Sequence, residues 1–325
     1  MCVRPCSPRS ERERRTVGSQ QVMNSPKRHI LITGGSGLIG SRLTNALLEK
    51  GYRVSQLSRS PGKDPRVKTF LWDVDKDEID KCCTEGVDTI VHLAGAGIAE
   101  KRWTAKRKRE LIDSRTKSIG LIYDLLRRKP HQVNSIISAS AIGYYSDRGD
   151  DLMTEDSHPS DDFLAKCCMQ WELAVDKAKN LGLRIVKYRT GVVLEEKGAL
   201  GAMDKPVKLG LGSPIGTGKQ WVPWIHWHDV IGIYLFAMEN PQIEGVYNMA
   251  APNPVTNKQL TQAIARQLHK PLWLPNVPAG VLKLALGEMS SIVLGSTRVS
   301  AQKILDAGYD FKFPELEGAL KELYG

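Results

Sequence analysis

An apolar run that ends in a cluster of glycines constrains the fold of this chain more than any other feature. Residues 29–40 read His-Ile-Leu-Ile-Thr-Gly-Gly-Ser-Gly-Leu-Ile-Gly, and apolar residues at helical spacing follow. This order predicts a strand, a tight turn and a helix, with Gly35, Gly37 and Gly40 at the spacing G-x-G-x-x-G. Glycines allow a tight turn and a close approach of the backbone to a pyrophosphate, and the helix N-terminus favours its charge. The strand-turn-helix context favours dinucleotide binding over an ordinary glycine-rich turn.

The alternation of strand and helix patterns continues to about residue 250. Apolar runs typical of buried strands occur at 53–59, 67–73, 88–97, 134–141 and 183–194, and a strand at 245–250 ends the series. Such an alternation predicts an α/β fold, a Rossmann-type doubly wound parallel sheet, over residues 29–250. Glycine and proline are frequent in residues 198–223, which we expect to form a loop on the substrate side. Residues 251–325 are expected to form a smaller, mostly helical C-terminal lobe on that side.

The positive charge of the chain is concentrated at its N-terminus. The net charge is +10, and residues 1–28 alone contribute seven basic and two acidic side chains. This segment has almost no apolar content, so we expect a disordered basic tail, of which residues 1–22 are either native or the product of an upstream start codon. Because the rest of the chain carries little excess charge, nucleic-acid binding is disfavoured. No apolar run approaches the ~20 residues of a membrane span.

The cysteines indicate a reducing compartment. They occur as Cys2, Cys6 and the adjacent pairs at 82–83 and 167–168, without the spacing of a zinc site or a redox pair. We therefore expect free thiols and a cytoplasmic protein. Nothing in the sequence decides between a monomer and a homodimer.

The end of the second predicted strand bears on the choice of cofactor. An acidic residue at this point holds the adenine ribose in an NAD enzyme, but the chain has Ser58, Arg59 and Ser60 there. Arg59 is suited to a 2′-phosphate, which favours NADP(H) over NAD(H), or it is a solvated charge at the strand end. Asp73, which closes the third strand, either reaches the adenine amine or is an exposed loop acid.

Further candidates lie where later strands end. The small residues after the buried His92 leave room for a ligand, and Arg115 stands inside a periodic apolar helix. The strand at 134–141 ends in hydroxyls and is followed by Tyr144 and Tyr145. His226 and His228 suggest a two-histidine metal site, but no nearby acid or thiol completes it, so we expect no metal.

These motifs resemble the epimerase/dehydratase branch of the short-chain dehydrogenase/reductases, and in particular its atypical epimerase family proteins. The resemblance is carried by residues 33–40, 92–95 and 138–145, and is extended by 188–194, 210–218, 223–226, 308–311 and 313–316. It implies a cofactor site formed by Thr33, Gly34, Gly35, Ser36, Gly37, Leu38, Ile39, Gly40, Arg59, Asp73, Leu93, Ala94, Gly95, Ser138 and Arg189. It implies that Ser140 hydrogen-bonds the reacting group, and that a substrate lies near Arg115, Lys166, Trp224 and His226.

One departure from the family pattern concerns catalysis. The superfamily's acid/base is a tyrosine followed four residues later by a lysine, which lowers the tyrosine pKa. Here Phe163 or Leu164 stands at the tyrosine position and Cys167 or Cys168 at the lysine position. Tyr144 or Tyr145 either replaces the missing donor or packs against the nicotinamide. The resemblance thus implies an NADP(H)-dependent oxidoreductase or epimerase-like enzyme with a small-molecule substrate, the alternative being a non-catalytic NADP(H)-binding regulator.

Overall fold

The computed structural model describes residues 28–325, so the predicted basic tail, apart from Arg28, lies outside the described residues. The strands are β1 (His29–Thr33), β2 (Arg53–Ser58), β3 (Lys68–Asp73), β4 (Glu78–Ile79), β5 (Thr89–His92), β6 (Ser135–Ala141), β7 (Leu152–Met153), β8 (Arg184–Thr190), β9 (Val192–Leu194), β10 (Trp221–Val222), β11 (Trp224–His226), β12 (Gly245–Met249), β13 (Val255–Thr256) and β14 (Arg298–Val299). The helices are α1 (Leu38–Glu49), α2 (Ala105–Arg128), α3 (Phe163–Asp176), α4 (Ala199–Lys208), α5 (Trp227–Glu239), α6 (Asn257–Gln267), α7 (Ala279–Leu286), α8 (Ser291–Leu294), α9 (Gln302–Asp306) and α10 (Leu316–Tyr324). Short 3-10 helices lie at Val74–Lys76, Ile142–Tyr144, Lys177–Leu181 and Gly287–Ser290.

Within residues 28–325, eight strands form the main sheet, in the order β12-β8-β6-β5-β1-β2-β3-β4. All neighbouring pairs run parallel except β3 and the short edge strand β4, which pair antiparallel. The central strand β1 has β2 on one side and β5 on the other. This is the strand order of a Rossmann fold, as predicted. In such sheets a ligand binds at the carboxyl ends of the strands where the order reverses, which here is the crevice between β1 and β5.

Both faces of the sheet are covered, which explains why β1 is apolar throughout. Ile30 and Ile32 point to a core shared with α1 and α5, whereas Leu31 points to a second core shared with α2 and α3. Successive residues of a strand point to opposite faces, so a strand buried on both faces reads as a continuous apolar run. The doubly wound arrangement follows from that pattern.

The core of the C-terminal lobe contains residues from before and after the predicted boundary at residue 250. Its core joins Leu194, Leu200 and Trp224 to residues of α6 and α10, such as Leu260 and Leu320. The predicted loop at 198–223 is also part helix, because α4 occupies Ala199–Lys208. Leu200 and Val207 are buried on one face of α4, and this packing outweighs the glycines and Pro206 that predicted a loop. Within residues 28–325, no helix is long and apolar enough to cross a membrane.

Candidate functional site

The turn between β1 and α1 is closed so tightly that two positions must be glycine. Gly34 adopts a positive φ of 71°, and a Cβ there would lie 2.8 Å from the carbonyl carbon of Leu93. A Cβ on Gly40 would overlap the carbonyl oxygen of Gly34. That oxygen also accepts a hydrogen bond from the Gly37 N–H at 3.0 Å. The glycines therefore pack β1, the turn and α1 together, as the sequence spacing predicts.

The N-terminus of α1 presents its N–H groups at this turn. Gly37 is the N-cap residue, and no side chain within the described residues caps the helix there. The N–H groups of the first turn therefore have no partner within the helix, and together with the helix dipole they favour an anion. Ser36 and Gly37 are exposed beside them. This end of the crevice fits a pyrophosphate.

Thr33 fixes the other wall of the crevice. Its hydroxyl oxygen accepts hydrogen bonds from the Leu93 and Ala94 N–H groups, each at 3.1 Å, and lies 2.9 Å from Nδ1 of His92. Since the hydroxyl accepts twice, its own hydrogen points to Nδ1, which makes Nε2 of His92 the protonated nitrogen. Burial lowers the pKa of His92 to about 4, so the ring is neutral and structural. The half-buried Leu93 and Ala94 and the exposed Gly95 line the crevice, where the cofactor's ribose was predicted.

Arg59, after β2, is exposed, whereas Asp73, at the end of β3, is engaged in local contacts. Arg59 follows β2 and is exposed at the carboxyl edge of the sheet, with no acidic residue between Ser58 and Lys63. Asp73 instead accepts hydrogen bonds from the backbone of the following 3-10 helix and pairs with Lys76 at 3.0 Å, which lowers the pKa of its carboxyl. Of the two interpretations offered for Asp73, the local loop acid agrees with this geometry.

Ser140 belongs to a buried polar network and is not free to donate to a substrate. Its hydroxyl donates to Oε1 of Glu172 at 2.8 Å, and the side chains of Ser140 and Glu172 are nearly inaccessible. Arg189 donates to both carboxylate oxygens of Glu172, at 2.8 and 3.0 Å, and is only 4% exposed. The role predicted for Ser140 does not agree with this geometry, because its hydroxyl already donates its hydrogen bond to Glu172. Arg189 acts as the partner of that carboxylate and does not point to a cofactor.

Ser138 is likewise engaged inside the protein. It is fully buried in β6, and its hydroxyl donates to the Ala139 carbonyl at 2.9 Å. The prediction that Ser138 contacts the cofactor does not agree with this burial.

The two tyrosines after β6 have different environments. Tyr145 is fully buried, donates to Oδ1 of Asn248 at 2.7 Å and accepts from Arg189 at 2.9 Å. Tyr144 is half-buried, and Cζ of Arg189 lies 3.4 Å from its ring centroid. The hydroxyl of Tyr145 is fully occupied by its two partners, so Tyr144 is the phenol of the pair that remains available at this edge of the sheet.

The start of α3, where the family places its tyrosine and lysine, is apolar. Phe163 packs edge-on against Trp103 with ring centroids 4.9 Å apart. Cys167 and Cys168 are buried, and burial raises the pKa of both thiols, so neither is a thiolate at neutral pH. Lys166 is exposed between the buried Ala165 and Cys167, and its role as a substrate residue stays a prediction.

Arg115 lies against the crevice. Its guanidinium donates to the carbonyls of Leu111 and Ala96, at 2.7 and 3.0 Å, and lies 5.0 Å from the ring of Trp171. A Cβ on Gly95 would come within 3.1 Å of its Cζ. Within residues 28–325 no carboxylate pairs with Arg115, so its charge stays available to a ligand beside Gly95.

Trp224 and His226 lie in the protein interior. Trp224 is fully buried in the core of the C-terminal lobe, with its indole N–H bonded to the Asn253 carbonyl at 3.1 Å. His226 is also fully buried and lies 2.9 Å from Glu322 of α10. Their predicted contact with substrate is corrected for the same reason, since neither has surface to offer a ligand in the crevice.

The sequence pattern did not reveal two of the charged residues described above. Glu172 stands among the apolar positions Ala165, Cys168 and Val175 of α3, and an acid on such a stripe was the signal for a buried partner. Glu322 had no such signal, because it reaches His226 from 96 residues further along the chain.

Comparisons with known proteins agree with the architecture. The model of the NAD dependent epimerase/dehydratase family matches residues 30–250, and that of a domain of unknown function (DUF1731) matches residues 277–323. The epimerase family protein YfhF of Bacillus subtilis is 37% identical over 297 residues, which cover 91% of this chain and 97% of that protein. The chloroplastic epimerase family protein SDR39U1 homolog of Arabidopsis thaliana is 34% identical over 301 residues, covering 90% and 86%. A crystal structure of human epimerase family protein SDR39U1 (isoform 2) with NADPH is 32% identical, with a TM-score of 0.80, and covers 91% of this chain and 99% of that chain.

Proposed function

This chain belongs to the NAD dependent epimerase/dehydratase family, a family of NAD(P)-binding proteins, and from that premise we propose that it is an NADP(H)-dependent oxidoreductase or epimerase-like enzyme. The substrate we propose is a small carbonyl compound, alcohol or sugar nucleotide. The compartment we propose is the cytoplasm, which the free thiols of Cys82, Cys83, Cys167 and Cys168 support.

The observation that carries the choice of cofactor is the exposed Arg59 at the carboxyl end of β2, where no acid is present. A guanidinium binds a phosphate through two charge-assisted hydrogen bonds, whereas an acid there would repel it. The human relative was crystallised with NADPH, which supports the same choice. The α1 N-terminus and the turn closed by Gly34 and Gly40 fit the pyrophosphate of either dinucleotide.

Side chains of this protein position the crevice backbone and supply the proton transfer. When bound between the α1 N-terminus and residues 93–95, NADP(H) would supply hydride-transfer chemistry. Thr33 holds the backbone of Leu93 and Ala94 in place as the floor of the crevice. We assign the proton transfer to the hydroxyl of Tyr144, because Tyr145 and Ser140 are committed to the buried network. Arg189 stacks on the Tyr144 ring and fixes its position.

The cofactor assignment is tested by measuring NADPH and NADH affinities through quenching of tryptophan fluorescence. Loss of charge-assisted hydrogen bonds worth ~1.5–3 kcal/mol should weaken NADPH binding by roughly tenfold to a hundredfold in Arg59→Ala and leave NADH binding unchanged. Arg53→Ala is the matched control, since Arg53 is an equally exposed arginine at the opposite end of β2. Equal NADPH affinity in Arg59→Ala and the wild type would show that Arg59 is only a solvated charge.

The reaction is tested separately, by following NADPH oxidation over a panel of carbonyl and sugar-nucleotide substrates. Tyr144→Phe should lower kcat by about 10²-fold or more, the usual contribution of a general acid, with NADPH affinity unchanged. Tyr52→Phe, a half-buried tyrosine at the far end of α1, is the control. A wild-type rate in Tyr144→Phe would remove Tyr144 from the mechanism.

A non-catalytic NADP(H)-binding regulator is the second candidate, and one observation favours it. Phe163 or Leu164 stands at the position of the family's tyrosine and Cys167 or Cys168 at that of its lysine; Phe163 packs on Trp103, and both cysteines are buried. Tight NADPH binding without turnover on any substrate of the panel would favour this function over the enzyme.

A further inference from the structure

Two histidines and one glutamate from distant parts of the sequence meet at the start of α5. His226 ends β11 and is the N-cap of α5, His228 lies in the first turn of α5, and Glu322 lies on α10. One potential ligand atom from each side chain lies within 4.8 Å of the other two. The sequence shows only the His-x-His pair, because the acid that completes the group comes from the last helix of the chain. We propose that these three side chains form a binding site for a divalent metal ion of the zinc type.

The distances within this group suit a shared ion. Nε2 of His226 lies 2.9 Å from Oε2 of Glu322, and Nδ1 of His228 lies 3.6 Å from Oε1. Zinc binds nitrogen and carboxylate oxygen at about 2.0–2.2 Å, and two such bonds at a tetrahedral angle place their ligand atoms about 3.3 Å apart. The two histidine–glutamate distances lie on either side of this value, and the ligand nitrogens of the two histidines lie within 4.8 Å of each other.

A second observation points to a missing ligand. Nδ1 of His228 is a buried polar atom without a hydrogen-bond partner among the described residues. The carboxylate of Glu322 is the acceptor nearest to it in this group, but 3.6 Å is too long for a hydrogen bond. A buried ring nitrogen without a partner is costly, and an ion bound between His228 and Glu322 would provide one.

The exposure of the three side chains leaves room for a fourth ligand. His226 is fully buried, whereas His228 and Glu322 are both about one third exposed. Water therefore has access to one side of the group, as in a zinc site with three protein ligands and an open position. Two imidazoles and one carboxylate are a donor set that suits zinc, and calcium or magnesium would require more oxygen ligands.

Neighbouring groups set the cost of binding. Nδ1 of His226 accepts a hydrogen bond from the His228 N–H at 3.2 Å, so Nε2 carries the ring proton. A metal ion bound at Nε2 requires this proton to move to Nδ1 and the hydrogen bond from His228 to break, because a metal-bound imidazole is neutral. Lys312 and Arg42 bring positive charge to both histidines, although Arg42 is paired with Glu195 at 2.7 Å. These contacts oppose a cation, whereas the charge of Glu322 and the unpartnered nitrogen of His228 favour one.

The occupied site would join α10 to the start of α5. None of its three residues has a role in the proposed function, and its test does not depend on that function. Full-length protein is freed of metal with a chelator and titrated with Zn²⁺ by calorimetry, and Co²⁺ absorption reports the ligand type. We expect one ion per chain, an increase in Tm on adding Zn²⁺, and a Co²⁺ spectrum without the thiolate charge-transfer band that cysteine ligands would give.

The variants separate this site from nonspecific binding. His228→Ala and Glu322→Gln should each weaken Zn²⁺ binding by at least about tenfold and abolish the Tm increase. Glu317→Gln is the matched control, because Glu317 is an exposed acid on the same helix, 3.2 Å from Arg266. The Tm of each variant without metal shows whether it is folded. Binding in Glu322→Gln equal to that in Glu317→Gln, thiolate absorption of Co²⁺, or no uptake at a one-to-one ratio would each overturn the proposal.

Discussion

The carboxylate of Glu172 is the centre of the buried network, and removing its charge is the sharpest test of the packing around the site. Glu172 is 6% exposed and Arg189 is 4% exposed, and the two are joined by hydrogen bonds of 2.8 and 3.0 Å. Glu172→Gln keeps the shape of the side chain but leaves the guanidinium without its counter-charge. Lys187 is less affected, because Asp176 lies 2.8 Å from its ammonium.

The expected loss follows from the burial of Arg189. Breaking a buried ion pair by removing one partner costs ~3–5 kcal/mol, because a charge stays behind in a medium that solvates it poorly. Arg189 keeps its hydrogen bonds to Tyr145 and to the Glu155 carbonyl, but both acceptors are uncharged. For a folded unit of about 300 residues, the loss corresponds to a fall in Tm of about 5–8 °C.

Urea unfolding followed by circular dichroism measures the change, with Asp113→Asn as the control. Asp113 pairs with Lys117 at 3.0 Å on the exposed face of α2, and such a pair is worth at most about 0.5 kcal/mol. The double variant Glu172→Gln/Arg189→Met should be more stable than Glu172→Gln, since the unpaired charge is gone. If Glu172→Gln were no less stable than Asp113→Asn, the network would not stabilise the fold and the argument would fail.

Three further outcomes are expected. Gly34→Ala should lower stability and abolish tight NADPH binding in a fluorescence titration, because its Cβ would clash with the Leu93 carbonyl. Gly182→Ala is the control, since Gly182 has a similar φ of 68° but open space around it. This control should lose only the ~1–2 kcal/mol of backbone strain. Burial lowers the pKa of His92 from 6.5, its ordinary value, to about 4 in the folded protein. As the pH falls below 6.5, the unfolded chain therefore binds a proton that the folded protein does not bind until about pH 4. His92 should therefore lower the free energy of unfolding by ~1.4 kcal/mol for each pH unit across that window. When urea unfolding is measured at several pH values, the plot of this free energy against pH should be less steep in His92→Gln by the contribution of one proton. Leu284→Ser should change stability by less than about 0.5 kcal/mol in the same assay, because Leu284 is 84% exposed.

The parts of the fold that the sequence predicted are those encoded locally. The spacing of Gly34 to Gly40 requires only a strand, a turn and a helix that are adjacent in the chain, and the structure confirms this order. The apolar run of β1 likewise predicts burial on both faces of the sheet. The parallel sheet follows from repeating the same unit, so its topology could be predicted without any knowledge of distant contacts.

The parts that could not be predicted depend on contacts between distant segments. The predicted loop at 198–223 contains α4 because Leu200 and Val207 pack against a lobe core that is completed by α10, more than a hundred residues later. The sequence predicted that Ser140 is free to bind the reacting group, because the spacing of a strand does not show that its hydroxyl donates a hydrogen bond to Glu172, 32 residues away. The sequence likewise could not identify Glu322 as the partner of His226, because the two residues are 96 positions apart.

The two halves of the crevice are built in different ways: one from local backbone groups, the other from side chains of distant elements. The cofactor half uses backbone N–H groups and glycines, whose positions are fixed by one turn and do not depend on distant side chains. The reacting half needs side chains from β6, α2 and α3 to converge. At the start of α3 the chain has Phe163 packed on Trp103 where an acid/base would stand, and this contact stabilises the helix without it. In the proposed function the proton therefore comes from the β6 side, where the guanidinium of Arg189 lies over the ring of Tyr144.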